Sequence, residues 1–255
     1  MILIDSHAHI YLKEFDDDRD QMMGRAREAG VQQILMPAID SSTHNMMLGV
    51  EKSNPDLCRS MMGLHPCSVG ENYLKELETV SQSLKNQKFV AVGEIGLDFY
   101  WDLSFKKQQY EAFHQQLDLA LQYNLPVSIH SRNATDECIE VIRQHQRGNL
   151  KGVFHCFSGN ADQARQLLEL GFYLGIGGVL TFKNSGLDAV IRVIDLAHLV
   201  LETDAPYLAP TPFRGKRNEP AYLAQVIQKL ADIKETTVEN AAAVTTANTK
   251  KLFGL

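Results

Sequence analysis

Short apolar segments with the composition of β-strands recur eight times along the chain, separated by longer and more polar stretches. We interpret each of these segments as one strand. The predicted strands are Ile2–Ile4, Gln33–Pro37, Arg59–Leu64, Phe89–Gly93, Pro126–Ile129, Gly152–Phe154, Phe172–Ile176 and Leu199–Leu201.

The stretches between the strands carry the periodicity of helices, and the clearest of them is Ser104–Tyr123. Its apolar residues recur at steps of three and four positions, whereas its lysines and glutamines, among them Gln116, fall elsewhere. The same reasoning predicts the remaining helices. They are Asp17–Ala29, Ser42–Lys52, Tyr73–Lys85, Ala134–Gln146, Ala161–Leu170, Leu187–Ile194, Tyr222–Ile233 and a last one near Val238–Thr249.

The alternation of strands and helices predicts an α/β fold with a parallel sheet. Eight such units in 255 residues match the size of a (β/α)8 TIM barrel. An open doubly wound sheet fits the same alternation, but it would spread the ligand-type residues described below along two crevices. No linker, low-complexity tract or change of composition divides the chain, so we expect one domain over residues 1–255.

Charge and cysteine content narrow the classes of protein that fit this pattern. The 31 acidic residues outnumber the 25 basic ones, and the formal charge of −6 argues against a protein that coats nucleic acid by bulk attraction. A local basic site remains compatible with this charge. The four cysteines show no paired spacing, so we expect reduced thiols and a cytoplasmic location.

The N-terminal residues and the apolar runs predict neither export nor membrane insertion. Asp5 follows Met1 and only three further apolar residues, and no basic segment precedes them, so the start of the chain does not resemble a signal peptide. The longest mostly apolar run, Tyr173–Phe182, is glycine-rich and too short to cross a bilayer. We therefore expect no membrane partner.

Side chains that can bind metal ions stand at the ends of the predicted strands. His7 and His9 close the first strand two residues apart, so both point to one face of an extended chain. Four further residues of this kind each follow a later apolar segment. They are Glu94, His130, His155 and Asp204. Imidazole and carboxylate ligands together are typical of catalytic sites for Zn²⁺, Mn²⁺ or Mg²⁺, so this placement predicts a metallohydrolase.

The two acidic residues of this set have different predicted roles. Glu94 follows the run FVAVG, where a carboxylate can bridge two cations as a single imidazole nitrogen cannot. Asp204 ends the eighth segment, where it can bind a metal ion and take a proton from a bound water. Taken alone, each position also has an ordinary interpretation. Glu94 would be a polar loop residue, Asp204 a helix cap, and the two histidines a surface pair.

Seven motifs in this chain resemble, in their order, those of the TatD family of metal-dependent hydrolases and deoxyribonucleases. They are DSHAHI, GLHP, VGEIGLDFY, PVSIHSR, GVFHCFSG, YLGIGGVLTFKNS and LETDAPYLAP with RGKRNEP, and they extend from Ile4 to about Asn248. Within the family the chain looks similar to the branch called YjjV. The resemblance implies an amidohydrolase-like TIM barrel and metal-dependent hydrolysis, with nucleic-acid phosphodiesters as the best-attested substrate.

The family resemblance also implies how the ligands divide between two divalent ions. Glu94 would be shared by both ions. One ion would have His7, His9 and Asp204 as its other ligands, and the second would have His130 and His155. The chain departs from many family members at Tyr11, where they have aspartate. Because that position is not a metal ligand, we expect the departure to affect substrate preference more than chemistry.

Basic and imidazole side chains near the strand ends are candidates for substrate binding. His65, in the GLHP motif, faces the predicted site, and Arg132 follows His130 closely. The only dense basic cluster lies after the eighth strand, where barrels commonly bind phosphate. Its basic residues are Arg214, Lys216 and Arg217. The alternative for this cluster is a solvated loop without a binding role.

These observations together predict a hydrolase that uses two divalent metal ions (Zn, Mg or Mn) to cleave nucleic-acid phosphodiester bonds. Glu94 and Asp204 are its predicted catalytic residues, with Asp204 accepting a proton from the attacking water. An alternative is a hydrolase of amides, lactones or small esters, because the same ions polarise a carbonyl equally well. A binding protein with a vestigial site is a third interpretation, and the complete set of ligand residues argues against it. The sequence indicates no obligate protein partner.

Overall fold

The computed structural model describes residues 1–255 as alternating strands and helices. The strands are β1 Leu3–Asp5, β2 Val31–Met36, β3 Cys58–Ser60, β4 Val92–Asp98, β5 Val127–Arg132, β6 Gly152–Phe154, β7 Tyr173–Ile176 and β8 Leu199–Leu201. The helices are α1 Arg19–Glu28, α2 Ser41–Ser53, α3 Tyr73–Asn86, α4 Lys106–Tyr123, α5 Thr135–His145, α6 Ala161–Glu169, α7 Leu187–Val193, α8 Leu223–Ile233 and α9 Val238–Phe253. None of the helices combines the length and apolar character needed to cross a lipid bilayer.

The strands pair in parallel throughout and close into a ring. Regular pairing joins β1, β2 and β3 in one set and β4 to β8 in another. At the seam between β3 and β4, the amide of Met62 donates to Ala91 O at 3.1 Å, and the amide of Gly93 donates to Met62 O at 3.0 Å. At the seam between β8 and β1, the amide of Ser6 donates to Leu201 O at 2.9 Å. The predicted (β/α)8 barrel is confirmed, and an open sheet is excluded.

Apolar side chains from every strand and from the helices that cover them form the core. The larger cluster contains 60 buried residues and runs around the whole barrel. A smaller cluster joins Ile4, Leu35, Val153 and Val200 to Phe253 at the end of α9, so the last helix packs onto the strands. Because both faces of each strand are covered, the strand ends that carry polar side chains are held in fixed positions.

Helix α4 shows how one buried polar residue shapes the site. Phe113 and Leu117 are buried, as the periodicity predicts. The prediction that Gln116 lies away from the packed face is wrong, because this side chain is 1% exposed. Its Oε1 accepts from the amide of Leu64 at 2.7 Å, and its Nε2 donates to Leu64 O at 3.2 Å. Gln116 therefore fastens the segment after β3, which carries His65, to α4.

Two strands extend further than the apolar pattern predicts. The strand predicted to end at Gly93 continues to Asp98, and the next one continues to Arg132. Glu94 and His130 therefore lie within β4 and β5 rather than beyond their ends. The predicted strands end too early because a charged residue was taken to mark the end of a buried strand. In this fold the carboxylate of Glu94 is only 1% exposed and is surrounded by imidazoles.

Candidate metal centre

Parallel strands bring the six predicted ligand residues to the same end of the barrel. His7 and His9 follow β1, and Asp204 follows β8, with its amide donating to His7 O at 2.9 Å. Glu94 lies in β4, and the remaining two residues lie in β5 and directly after β6. They are His130 and His155. Residues from nearly the whole length of the chain, from His7 to Asp204, thus form one cluster.

One oxygen of the Glu94 carboxylate faces the two histidines that follow β1. Its Oε2 lies 3.1 Å from His7 Nε2 and 3.4 Å from His9 Nε2. Asp204 Oδ1 lies 3.8 and 3.6 Å from the same two nitrogens. His7, His9 and Glu94 place one ligand atom each within 4.8 Å of one another, and Asp204 lies beside the two histidines.

The other oxygen of Glu94 faces a second group of imidazoles. Its Oε1 lies 2.8 Å from His155 Nε2, 2.9 Å from His130 Nδ1 and 3.2 Å from His65 Nε2. The amide of Cys67 donates to His65 Nδ1 at 3.0 Å. In its neutral form His65 therefore carries its proton on Nε2 and is a hydrogen-bond donor there. This tautomer suits a contact to substrate better than metal ligation.

The chemistry of these donors fits divalent cations. All ion-pair partners of Glu94 are histidines, so no lysine or arginine neutralises this buried carboxylate. Three groups place their ligand atoms within 4.8 Å of one another, and they combine the predicted ligands differently from the two expected sets. The groups are His7, His9 and Glu94; His7, His155 and Asp204; and His65, Glu94 and His130. Mixed imidazole and carboxylate ligands are those of zinc and related transition metals, and carboxylates also suit Mg²⁺ and Mn²⁺.

The protonation of the cluster reflects burial and mutual charge. Burial alone would raise the pKa of Glu94, but the imidazoles of His155, His65 and His7 lower it well below its usual range. Burial acts to lower the pKa of His155, but the carboxylates of Glu94 and Glu202 raise it well above its usual value. A cation that binds His155 must displace this proton, so metal affinity rises with pH.

The pKa values of two further members of the cluster, His7 and Asp204, are shifted in directions that suit their predicted roles. Burial, reinforced by the charge of His155, lowers the pKa of His7 well below its usual value, which leaves this imidazole neutral and ready to bind a cation. Burial raises the pKa of Asp204 to about 6, against the opposing effects of His155 and His9. A carboxylate with a pKa near neutrality is a more effective general base than an ordinary one.

Comparison with known proteins agrees with this geometry. The family model described as TatD-related DNase matches residues 4–254. The chain belongs to the TatD family. A Bacillus subtilis relative, the uncharacterized metal-dependent hydrolase YabD, is 37% identical over 253 residues, which cover 99% of both chains. The chain is thus a metal-dependent hydrolase, and the predicted family is confirmed.

Two other relatives extend the comparison. A protein of Erwinia tasmaniensis named 3'-5' ssDNA/RNA exonuclease TatD is 32% identical over 259 residues, covering 99% of this chain and 100% of the relative. The crystal structure of YjjV, a TatD homologue from Escherichia coli, superposes with a TM-score of 0.94 at 33% identity, covering 99% of this chain and 98% of that one. The barrel is therefore that of the TatD family.

Two side chains behind the first ligand set fix its histidines. Ser128 Oγ lies 3.1 Å from His7 Nδ1. Tyr11 donates its hydroxyl proton to Pro37 O at 2.7 Å, so its oxygen accepts from His9 Nδ1 at 3.0 Å. This bond leaves the lone pair of His9 on Nε2, which faces Glu94. Tyr11, where the chain departs from the TatD pattern, thus contacts a predicted ligand, and its expected effect on substrate preference stays a prediction.

Asp98 is a candidate site residue that the sequence analysis missed. Its Oδ2 lies 2.8 Å from His130 Nε2, and its Oδ1 accepts from the amides of Tyr100 at 2.9 Å and Trp101 at 3.2 Å. Asp98 therefore orients a ligand and also holds the loop after β4. A prediction that continued the strand beyond Gly93 would have identified Asp98. Residues four positions apart in a strand lie on the same face, so Asp98 shares the face of Glu94.

Glu202 supports the second ligand set from behind. It is fully buried, and its Oε1 accepts from the amide of Cys156 and lies 3.6 Å from His155 Nδ1. Its Oε2 has no hydrogen-bond partner. Gly175 makes room for this oxygen, because a Cβ at that position would collide with it. Such a carboxylate behind a ligating imidazole increases the basicity of the ligand.

The residues predicted to bind substrate have different surroundings. The Arg132 guanidinium lies 3.8 Å from the Tyr100 ring centroid, at the rim of the site. Arg214 is exposed and stacks over the Phe182 ring at 3.6 Å, and Lys216 is exposed. Both remain available to a ligand.

Arg217, which is predicted to contact phosphate, is paired with carboxylates in this structure. Its two Nη atoms donate to the Asp18 carboxylate at 2.6 and 2.8 Å, and one also donates to Glu14 O at 2.6 Å. Arg25 joins the same network through Asp18 at 2.9 Å and Glu219 at 2.6 Å. The guanidinium of Arg217 therefore anchors the basic loop to the segment before α1.

Proposed function

We propose that this TatD-family protein hydrolyses phosphodiester bonds of single-stranded nucleic acid, with two divalent ions that share Glu94 as a ligand. The observation that carries the proposal is the Glu94 carboxylate itself, whose two oxygens face two separate groups of ligand atoms. Paired divalent ions in such sites lower the pKa of water and neutralise charge on a phosphoryl oxygen. His7, His9 and Asp204 would complete one ion's ligands, and His130 and His155 those of the other.

The protein's own side chains supply the remaining steps. Asp204, whose Oδ1 lies 3.8 and 3.6 Å from His7 Nε2 and His9 Nε2, would accept the proton that the attacking water releases. His65 directs its Nε2 proton into the site, where it can donate to a phosphate oxygen. Arg214 and Lys216 attract phosphates further along the strand, and the planar guanidinium of Arg214 can contact two phosphate oxygens at once.

Two features support a nucleic-acid strand over a small neutral substrate. Cationic groups stand at the rim of the site although the chain as a whole carries a net charge of −6. One relative that aligns along almost the entire chain is named as an exonuclease for single-stranded DNA and RNA. An acyl hydrolase would use the same ligands but would have no need of the basic loop.

The test is an activity comparison across substrate classes. Purified protein with Mg²⁺, Mn²⁺ or Zn²⁺ is given 5'-labelled and 3'-labelled single-stranded DNA and RNA, a small phosphodiester, a lactone and an acyl ester. We expect metal-dependent cleavage of the labelled strands, abolished by chelator, and the two labels report the direction of cleavage. Asp204→Asn protein prepared in the same way controls for contaminating nucleases. Hydrolysis of the lactone or ester without cleavage of any strand would refute the proposal.

A further inference from the structure

The loop after β4 exposes two aromatic side chains beside the metal centre. Tyr100 is 53% exposed and Trp101 is 68% exposed, whereas most aromatic side chains of this size contribute to the core. Their ring centroids are 4.9 Å apart at an interplanar angle of 87°, so the two rings present faces in different directions. Nothing in the reaction proposed above requires exposed rings at this place.

The loop is fastened directly to a ligand residue. The same Asp98 carboxylate that contacts His130 Nε2 at 2.8 Å accepts from the amides of Tyr100 and Trp101 at 2.9 and 3.2 Å. The amide of Phe99 also donates to Arg132 O at 2.9 Å. The Asp98 carboxylate thus connects the backbone of both aromatic residues to a predicted metal ligand. The rings are held close to the site by backbone hydrogen bonds although their faces are open to solvent.

A cation accompanies the rings. The Arg132 guanidinium lies 3.8 Å from the Tyr100 centroid and 5.2 Å from that of Trp101. Its partners here are π faces and not a carboxylate, so its positive charge remains available to an anion. Flat apolar faces combined with an available cation match a nucleotide, which offers a planar base and a phosphate a short distance apart.

We propose that Tyr100 and Trp101 form a stacking platform for unpaired bases of the substrate strand, with Arg132 contacting an adjacent phosphate. The proposal rests on the proposed function, since it assumes a nucleic-acid strand in the site. Stacking tolerates any base, because every base has a π face. The platform therefore adds affinity that depends on the presence of bases, and the basic loop adds affinity that depends on phosphate charge.

These two contributions respond differently to salt. Each phosphate contact on a single strand adds about 0.7 to the slope of log affinity against log salt concentration, whereas stacking adds nothing. Trp101→Ala should weaken binding by roughly 5- to 100-fold at every salt concentration and leave the slope unchanged. Removing Arg214 and Lys216 should reduce the slope.

The chain's single tryptophan makes the platform directly observable. Because Trp101 is that residue, its fluorescence reports only on this loop. Mg²⁺-loaded Asp204→Asn protein, which turns over slowly, is titrated with oligothymidylate, with oligodeoxyadenylate and with a strand of equal length that carries abasic residues. We expect quenching and tight binding with both base-containing strands, and weak binding without quenching for the abasic strand.

Variants in the same background separate stacking from structure. Trp101→Phe should retain affinity within a few-fold, and Trp101→Ala should lose it. Because neither of these two variants keeps a tryptophan, their affinity is measured by the fluorescence anisotropy of a labelled strand. Leu103→Ala removes a neighbouring side chain that is 56% exposed but not aromatic, and should change nothing. Equal binding of abasic and base-containing strands, or an unaffected Trp101→Ala variant, would overturn the platform. If Trp101 fluorescence instead falls as protein concentration rises, and sedimentation shows dimers, the rings belong to an interface between two copies of the chain.

The outcomes distinguish this proposal from the proposed function. If bases quench Trp101 and Trp101→Ala weakens binding, the platform stands even when no strand is cleaved. If strands are cleaved at equal efficiency by wild type and Trp101→Ala protein, the platform is wrong while phosphodiester hydrolysis stands.

Discussion

Replacement of Glu202 by glutamine separates the charge of this residue from its hydrogen bond. Glu202 is fully buried, and its Oε1 accepts from the amide of Cys156 while lying 3.6 Å from His155 Nδ1. Glutamine keeps an oxygen for the Cys156 amide and has nearly the same volume. It removes only the negative charge behind the ligand His155. We expect Glu202→Gln to weaken metal binding without disrupting the barrel.

The expected magnitude follows from the role of such a carboxylate. Loss of a group that supports a ligating imidazole typically costs about 10- to 100-fold in metal affinity. This range corresponds to about 1.4–2.7 kcal/mol of binding free energy. The stabilisation that saturating metal adds to the folded state falls by the same amount. At about 2–4 °C per kcal/mol for a chain of this size, the metal-induced rise in Tm should shrink by roughly 3–10 °C.

The pH dependence provides a second signature. The carboxylates of Glu94 and Glu202 raise the pKa of His155, so protons compete with metal ions for this imidazole at neutral pH. Metal affinity of the wild type therefore falls as pH falls through that raised pKa. Because Glu202→Gln weakens proton binding as well as metal binding, the difference between variant and wild type should narrow as pH decreases.

Competition with a fluorescent chelator measures the metal affinity at pH 6 and pH 8, and thermal unfolding with and without EDTA measures the metal-induced shift in Tm. Glu71→Gln makes the same chemical change at an exposed loop position and serves as the control. Unchanged metal affinity combined with a lower Tm of the metal-free protein would refute the reasoning. Glu202 would then only hold the backbone at Cys156.

Four further variants test the remaining parts of the site. Asp204→Asn should lower kcat by about 10²- to 10⁴-fold with little change in KM, because asparagine tolerates the positive φ of 58° but accepts no proton; an almost unchanged kcat would leave Asp204 as a ligand only. Glu94→Gln should reduce metal content in both ligand groups, since an amide offers one oxygen where the carboxylate offers two, and full occupancy by elemental analysis would contradict the shared role. Replacing Arg214 and Lys216 together by alanine should raise KM for an oligonucleotide but spare a minimal phosphodiester, and should reduce the salt slope by about 1.4. Arg217→Ala should instead lower stability by about 1 kcal/mol through loss of its pairing with Asp18, with no change in the salt slope.

The sequence predicts the barrel well because its signal is local. Segments as short as Gly152–Phe154 were recognised, since helical stretches separate them from the next strand. The six ligand residues also follow from their positions relative to those strands, and the structure places them together. Whether each of them binds an ion stays a prediction.

The features that sequence analysis missed depend on distant residues. Arg217 is paired with Asp18, which lies 199 positions earlier, and nothing in the basic run itself indicates this partner. Asp98 was missed because Glu94 looked like the end of a strand. The five imidazoles that surround this carboxylate lie in or after other strands, and they allow β4 to continue past a charged residue.

The two oxygens of Asp98 also have a thermodynamic consequence. One contacts the ligand His130, and the other accepts from the loop that carries Tyr100 and Trp101. Anything that orders this loop acts on the carboxylate that orients His130, and a cation bound at His130 acts on the loop. Coupling of this kind is reciprocal, so a strand that binds more tightly when metal is present must tighten metal binding by the same factor. Substrate and metal would then act as mutual effectors, and an enzyme short of metal would recruit it most effectively once a strand is already in place.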